Sequence, residues 1–204
     1  VEDLFFNTPG RKKFLKPDTA EYNAIADVFD TLALARSEVS FSLSSNRIPA
    51  AAYDATRDVR ERIAQIYGDA VAQRMLPVAL TEPGLSLHGY VAAPELSRVN
   101  RTGQKIFING RPVQSLGVSL GLSRAYEEFL ERGRFPVAVL FLEIPHEEID
   151  VNVHPAKREV RIRNERIVVD KIAHAVKNEL RRTGVALPTA AAPSAEPSYM
   201  AMPR

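Results

Sequence analysis

Four segments of the chain repeat apolar residues every three or four positions, which is the spacing of an amphipathic α-helix. The clearest pattern begins at Asp18, a good N-cap residue, with Glu21 three positions later as in a capping box. Its apolar positions are Tyr22, Ile25, Ala26, Phe29, Leu32 and Ala33. The same spacing predicts three further helices, over residues 58–70, 115–132 and 165–182.

Between these helices the pattern changes to that of β-strands. Val39, Phe41 and Leu43 alternate with serines, which predicts a half-buried strand that pairs with residues 48–53. Residues 137–144 are almost wholly apolar, as in a central strand buried on both faces. Asn109 and Gly110 follow another apolar run and are a strong hairpin-turn signal. Further strands are predicted at 4–6, 76–80, 85–92, 149–153 and 160–162.

The order of these elements predicts the fold class. Helices and strands are intermixed, with hairpins between neighbouring strands, so we predict an α+β fold in which a mixed β-sheet has its helices packed on one face. Residues 183–204 contain four prolines and six alanines but only two charged side chains, which is typical of a disordered linker. Because the chain also begins inside a predicted strand, we interpret it as a piece of a longer protein.

Composition excludes several classes of protein. Among 204 residues, 45% are hydrophobic and 25% are charged, which is ordinary for a globular protein and argues against disorder of the whole chain. No uncharged apolar run reaches the ~18 residues of a membrane span, and the acidic start does not resemble a signal peptide. The absence of cysteine excludes disulfides, thiolate zinc sites and cysteine nucleophiles.

The net charge of +2 is unevenly distributed. Residues 157–182 contain nine basic and four acidic side chains, a balance of +5, and residues 98–134 contain seven basic and three acidic ones, a balance of +4. Such stretches suit a polyanion such as nucleic acid. An ordinary solvated surface is the alternative.

Few residues have the spacing that catalysis requires. The sequence has no HExxH motif, no Gly-rich phosphate loop and no paired carboxylates or nucleophile–base arrangement, so a self-sufficient hydrolase is disfavoured. His174 is predicted to lie on the polar face of the last helix, and His88 and His146 to be structural. Lys157 follows Pro155, which stiffens the turn, and a lysine at a strand end can act as a point charge on a phosphate.

Three segments resemble the signatures of one family. Residues 150–161 read DVNVHPAKREVR, residues 4–16 read LFFNTPGRKKFLK and residues 107–113 read FINGRPV. Together, and in this order, they resemble the motifs of the MutL family of DNA mismatch-repair proteins, with the bacterial type fitting best. Gly10 stands where that family usually has alanine.

The resemblance implies a domain organisation. MutL proteins have an N-terminal ATPase domain of the GHKL class, a second α+β domain of the transducer, ribosomal-protein-like type, a linker and a dimerisation domain. By this resemblance, residues 1–36 are the end of the ATPase domain, 37–182 the transducer domain and 183–204 the start of the linker. The family's magnesium-binding and adenine-binding motifs are absent from this chain. ATP and Mg²⁺ are therefore expected only in the full-length parent, and the chain alone is expected to be inactive.

The resemblance also implies roles and partners. The lysine matching Lys157 reaches the nucleotide pocket in that family and contacts the γ-phosphate, which makes Lys157 the candidate for sensing and for assisting catalysis. DNA is expected to bind without sequence preference, and the candidate contacts are Arg98, Arg101, Arg124, Arg161 and Arg163. Expected partners are the mismatch-recognition protein MutS, downstream repair factors and a second copy in the full-length homodimer. The expected location is the cytoplasm, at the nucleoid, with no membrane association.

The residues alone leave another interpretation open. Without the resemblance, the residues indicate a stand-alone nucleic-acid-binding α+β domain of ribosomal-protein type. Pro155, two residues before Lys157, and the start inside a predicted strand favour the mismatch-repair interpretation.

Overall fold

The computed structural model describes residues 5–150 and 160–184. The helices are α1 (Pro9–Lys12), α2 (Asp18–Ala35), α3 (Val59–Tyr67), α4 (Asp69–Gln73), α5 (Leu116–Ala125) and α6 (Glu165–Arg182). The strands are β1 (Phe41–Ser45), β2 (Ile48–Tyr53), β3 (Met75–Glu82), β4 (Leu85–Ala92), β5 (Gln104–Ile108), β6 (Arg111–Val113), β7 (Ala138–Glu143), β8 (Ile149–Asp150) and β9 (Arg161–Ile162). Lys157 and the predicted linker beyond residue 184 lie outside the described residues.

The main sheet has five strands in the order β3-β4-β7-β5-β6. Strand β5 pairs with β7 in parallel, with Ile106 opposite Leu140, whereas the other neighbours are antiparallel. The predicted mixed sheet and α+β class are therefore confirmed.

Strand β7 is the centre of the sheet and is buried on both faces, as its apolar run predicts. Ala138, Leu140 and Leu142 contribute to the core on one face, whereas Val139 contributes to the core on the opposite face. Successive side chains of a strand point to opposite faces, so a continuous apolar run needs cover on both.

Helices cover both faces of the sheet, which goes beyond the predicted packing on one face. The first core lies under α5 and α6, where Val118, Leu122 and Ile172 are buried. The second core contains Ile63 of α3, Ala72 of α4 and residues at the end of α2. The alternation along β5 explains the difference, because Ile106 and Ile108 face the first core while Phe107 faces the second.

Helix α5 ends at Ala125, earlier than the predicted end at residue 132. Tyr126 follows it as the C-cap residue, and its ring is fully buried. The hydroxyl group of Tyr126 donates to the carbonyl oxygen of Ala92 on β4. Burial raises the pKa of this phenol. Tertiary packing therefore ends the helix although the apolar spacing continues.

The N-terminal region also differs from the prediction. Residues 5–7 form a turn instead of continuing the strand predicted at 4–6, and α1 begins at Pro9. Pro17 takes the N-cap position of α2, so Asp18 is the first helical residue. Glu21 accepts a hydrogen bond of 2.8 Å from the backbone N–H of Lys16, which keeps part of its predicted capping role.

The hairpin β1–β2 forms a separate two-stranded sheet, and Arg62 of α3 connects it to the main body. The fully buried guanidinium of Arg62 donates to the carbonyl oxygens of Ser37, Val39 and Asp54 at 2.8, 2.7 and 3.0 Å. Desolvation by burial lowers its pKa. One side chain thus ties together the backbone before and after the hairpin.

Gly89 is predicted to be essential for the sheet. A Cβ at this position would lie 2.1 Å from the carbonyl oxygen of Val139, and its φ of +143° is unfavourable for other residues. We expect Gly89→Ala to destabilise the protein by roughly 2–4 kcal/mol in urea unfolding, through overpacking and backbone strain. Gly10→Ala is the matched control, because a Cβ at position 10 would have no atom within 4 Å. Equal stability of the two variants would contradict this account.

A candidate nucleic-acid interface

The turn between β5 and β6 is built by the residues of the Asn-Gly signal. Asn109 and Gly110 have φ angles of +49° and +73°, as a two-residue hairpin turn requires. The Asn109 side chain donates to the Ile144 carbonyl at 2.8 Å and accepts from the Ile144 N–H at 2.9 Å. Residues 107–113, one of the three motif segments, therefore have a structural role. Asn109 attaches the end of β5 to the residue that follows β7.

Arg98 and Arg101 lie together beside Phe135. The backbone of Arg98 pairs with that of Phe135 through hydrogen bonds of 2.8 and 2.7 Å. The guanidinium of Arg101 lies over the Phe135 ring, 5.0 Å from its centroid. Next to Phe135, Arg134 donates to the hydroxyl and the carbonyl oxygen of Ser97. Arg101 thus contacts the Phe135 ring through its guanidinium and Arg98 pairs with Phe135 through its backbone, and both arginines were predicted from the sequence.

Arg124 lies on the exposed side of α5, but its charge is already paired. Its guanidinium is 2.8 Å from the carboxylate of Asp170 on α6. The predicted DNA contact is therefore exposed and at the same time neutralised by a neighbouring helix.

Arg161 and Arg163 are not part of the main sheet. Arg161 is on β9, which pairs with β8 in a separate two-stranded sheet, and Arg163 follows directly. Both side chains are exposed, and the Arg163 backbone N–H donates to the Glu148 carbonyl at 2.8 Å. The five candidate arginines thus occupy three separate places: the segment before β5, helix α5 and strand β9 with the residue after it.

Most basic residues of α6 form ion pairs. The pairs are Lys171 with Glu82 at 2.7 Å, Lys177 with Glu128 at 2.6 Å, Arg181 with Glu128 at 3.0 Å and Arg182 with Glu179 at 2.7 Å. Hydrogen bonds from Lys177 and Arg181 lower the pKa of Glu128, and the hydrogen bond from Arg182 lowers that of Glu179. The charge balance of this stretch therefore overstates the positive charge that a polyanion can reach.

A basic segment near the start of the described chain was not predicted from the sequence. Residues 5–16 contain four basic side chains and no acidic one, and all four are exposed. Phe6 and Phe14 in the same segment are strongly exposed. The run of basic residues between Phe6 and Phe14 was the signal that could have found it.

The described residues give no support for other kinds of site. Within 5–150 and 160–184, no group of His, Asp and Glu side chains is arranged to hold a metal ion. In the same ranges, no helix combines the length and the apolar character that crossing a membrane requires. His174 is exposed on α6, as predicted.

Comparison with known proteins identifies the family. Residues 63–181 match the family described as DNA mismatch repair protein, C-terminal domain. This match covers more than half of the chain, which therefore belongs to the DNA mismatch repair protein family. Membership gives no support to the alternative of a ribosomal-protein-type domain.

The relatives within this family are MutL proteins. The chain is 42% identical over 184 residues to "DNA mismatch repair protein MutL" of Citrifermentans bemidjiense, covering 90% of this chain and 28% of that protein. It is 44% identical over 184 residues to the protein of the same name from Geobacter sulfurreducens, covering 90% and 30%. The chain thus spans about three tenths of the length of these relatives.

Solved structures agree with the fold. The crystal structure of the N-terminal domain of a DNA repair protein matches with a TM-score of 0.70 and 25% identity, covering 90% of this chain and 61% of that one. The Aquifex aeolicus MutL ATPase domain complexed with ADP matches with a TM-score of 0.55 and 26% identity, covering 71% and 51%.

Glu128 is predicted to contribute stability that depends on pH. Because its pKa is lowered in the folded protein, its ion pairs stabilise the fold at neutral pH, and this contribution is lost as the pH falls through the lowered pKa. We expect Glu128→Gln to be less stable than the wild type at pH 7 in urea unfolding and the difference to vanish at acidic pH. The neighbouring Glu127→Gln, which removes an exposed carboxylate outside these pairs, is the control. A difference that persists unchanged in acid would contradict the assignment.

Proposed function

We propose that this chain is the transducer domain of a MutL-type ATPase, preceded by the end of the ATPase domain, and that it senses the ATP γ-phosphate through Lys157 and binds DNA without sequence preference. The main support for this proposal is that the chain belongs to the mismatch repair family. By the same argument the full-length protein binds ATP and Mg²⁺, forms a homodimer and acts with MutS at the nucleoid.

The exposed apolar side chains of α2 support a domain boundary in this region. Ile25, Val28 and Leu32 are exposed, Leu32 to 46%, although they lie on a helix with an apolar face. Phe29 is instead packed against Phe41 and Tyr53 of the hairpin. Contiguous exposed apolar residues mark a surface that another part of a protein covers. We propose that the rest of the ATPase domain covers this surface around Ile25, whereas Val28 and Leu32 border a cavity.

The role proposed for Lys157 is electrostatic. Phosphoryl transfer depends mostly on positioning and on stabilising the charge that develops on the phosphoryl oxygens. A lysine delivered from a second domain can do both only while the γ-phosphate is present, which couples the orientation of the domain to the state of the nucleotide.

The role proposed for the arginines is to neutralise phosphates. Arg98 and Arg101 form no ion pair within residues 5–150 and 160–184, in contrast to Arg124. Exposed arginines that are not already paired can displace the counterions of DNA, and this release provides most of the affinity in non-specific binding. We therefore choose Arg101 and, from the separate two-stranded sheet, the exposed Arg161 as the positions to change.

DNA binding is predicted to be weak and sensitive to salt. Fluorescence anisotropy should give a Kd in the range of ~10⁻⁴ to 10⁻⁶ M, with a salt slope equivalent to roughly two to four phosphates. Arg101→Gln with Arg161→Gln should reduce that slope by about 0.9 for each phosphate that is no longer neutralised. The double variant Lys171→Gln with Arg182→Gln has the same net charge but removes paired residues, and it should keep the wild-type slope. If both double variants change binding equally, net charge and not these arginines determines the affinity.

Lys157 is predicted to matter for turnover in the full-length protein. We expect Lys157→Ala to lower kcat by raising the activation free energy by on the order of 3 kcal/mol, because the variant has no ammonium group to stabilise the transferred phosphoryl group. Its thermal unfolding should be unchanged. Lys171→Ala on α6 is the control and should keep wild-type turnover. Unchanged turnover in Lys157→Ala would move the role to another residue, with Arg158 next to be tested.

A further inference from the structure

A cavity of about 470 Å³ lies between α2 and the elements β5, β6 and α5. Val28 and Leu32 of α2 line one side, and Ile106, Val113 and Leu116 line the other. Pockets that bind small molecules typically have ~300–1,000 Å³ and are mostly apolar with a few polar groups. The size and lining of this cavity fall within that description.

A buried lysine provides a charged group in the wall of the cavity. Lys105 is only 8% exposed, and its Nζ lies 2.5 Å from Oδ1 of Asp27 and 3.0 Å from the Thr31 hydroxyl. An ammonium group can donate three hydrogen bonds, so one N–H remains for a further acceptor. Arg101 also lines the cavity, and it adds a second cation.

One buried polar atom in the wall of the cavity has no hydrogen-bond partner among the described residues. Gln104 accepts from the Ser119 hydroxyl at 2.6 Å, while its buried Nε2 has no hydrogen-bond partner among the described residues. Reversing the amide would leave its oxygen without a partner instead, so one amide atom stays unsatisfied in either orientation. Lys105 and Arg101 against Asp27 give the lining a net charge of +1.

From this arrangement we infer that the cavity binds a small amphipathic monocarboxylate. Its carboxylate lies between Lys105 and Arg101, where it accepts charge-assisted hydrogen bonds. Its apolar body lies against Val28, Leu32 and Leu116. A single negative charge matches the net charge of the lining, whereas a nucleotide phosphate group carries more charge than the lining can neutralise. The inference does not rest on the function proposed above, although Arg101 is also one of the candidate DNA contacts.

The test is a titration of the chain with octanoate, followed by NMR of the methyl groups of Val28, Leu32 and Leu116. We expect saturable shifts with octanoate. Octanol has the same apolar body and no charge, and it should bind at least about tenfold more weakly, because it cannot form the hydrogen bonds of a charged group. No saturable shift with octanoate, or equal binding of octanol, would overturn the inference.

Two matched variants on α5 test the location. Leu116 lines the cavity and is 77% exposed, whereas Leu120, one turn further along the same helix, is 48% exposed and does not line it. Leu116→Glu should weaken octanoate binding by about tenfold or more through repulsion of the carboxylate, and Leu120→Glu should not. Equal effects of the two variants would overturn the location.

Two further measurements test the carboxylate contact and the kind of ligand. Lys105→Met should abolish the preference for octanoate over octanol. Should this variant fail to fold, Arg101→Gln provides the same comparison and should reduce the preference. A persisting preference for octanoate in the folded variant would contradict the carboxylate contact.

The kind of ligand is tested with a peptide. Binding of acetyl-Leu-Leu with a free C-terminus in the absence of octanoate binding would overturn the assignment to a small molecule. Neither leucine variant changes a candidate DNA contact, so a failure of DNA binding leaves this test valid.

Discussion

The burial of β7 on both faces is the constraint on which the arrangement of the molecule depends. A strand whose side chains are apolar on both faces is stable only where both faces are covered. The helices on both sides of the sheet are therefore needed together. Leu140 belongs to the core under α5 and α6, and its neighbour Val139 to the core under α3 and α4. The close pairing of β4 with β7 at Gly89 is part of the same constraint, since no side chain fits between the two backbones.

Two buried cations connect the first part of the chain to this sheet. Arg62 donates to three backbone carbonyl groups, two before the β1–β2 hairpin and one after it. Lys105 reaches from β5 to Asp27 and Thr31 on α2. A buried charge without its partners is strongly destabilising, so such contacts favour one arrangement over others. The Lys105 contact crosses the place where the resemblance puts the domain boundary, so it is well placed to hold α2 in a defined orientation, whereas the Arg62 contacts hold the hairpin.

The positive charges that remain unpaired after folding, and that the proposed DNA binding would use, are fewer than the composition indicates. Helix α6 carries much of the positive charge of its stretch, yet four of its basic side chains are paired with carboxylates on β3, on α6 itself and after α5. Ion pairing between helices stabilises their packing modestly and at the same time removes positive charge from the surface. What distinguishes Arg98 and Arg101 is therefore not their number but their position beside Phe135, away from those carboxylates. Electrostatic function in this domain depends on which cations remain unpaired after folding.

The sequence by itself determined the α+β class, the central buried strand, the Asn109–Gly110 turn and the family, because these depend on local periodicity and on short motifs. It also indicated the candidate arginines, although the role of Lys157 stays a prediction. The tertiary structure decided that helices cover both faces, that α5 ends at Tyr126 and that Arg124 is neutralised by Asp170. It also brought Lys105 to Asp27 across 78 residues. These features depend on contacts between residues far apart in the chain, and the periodicity of a single segment contains no information about its distant partners.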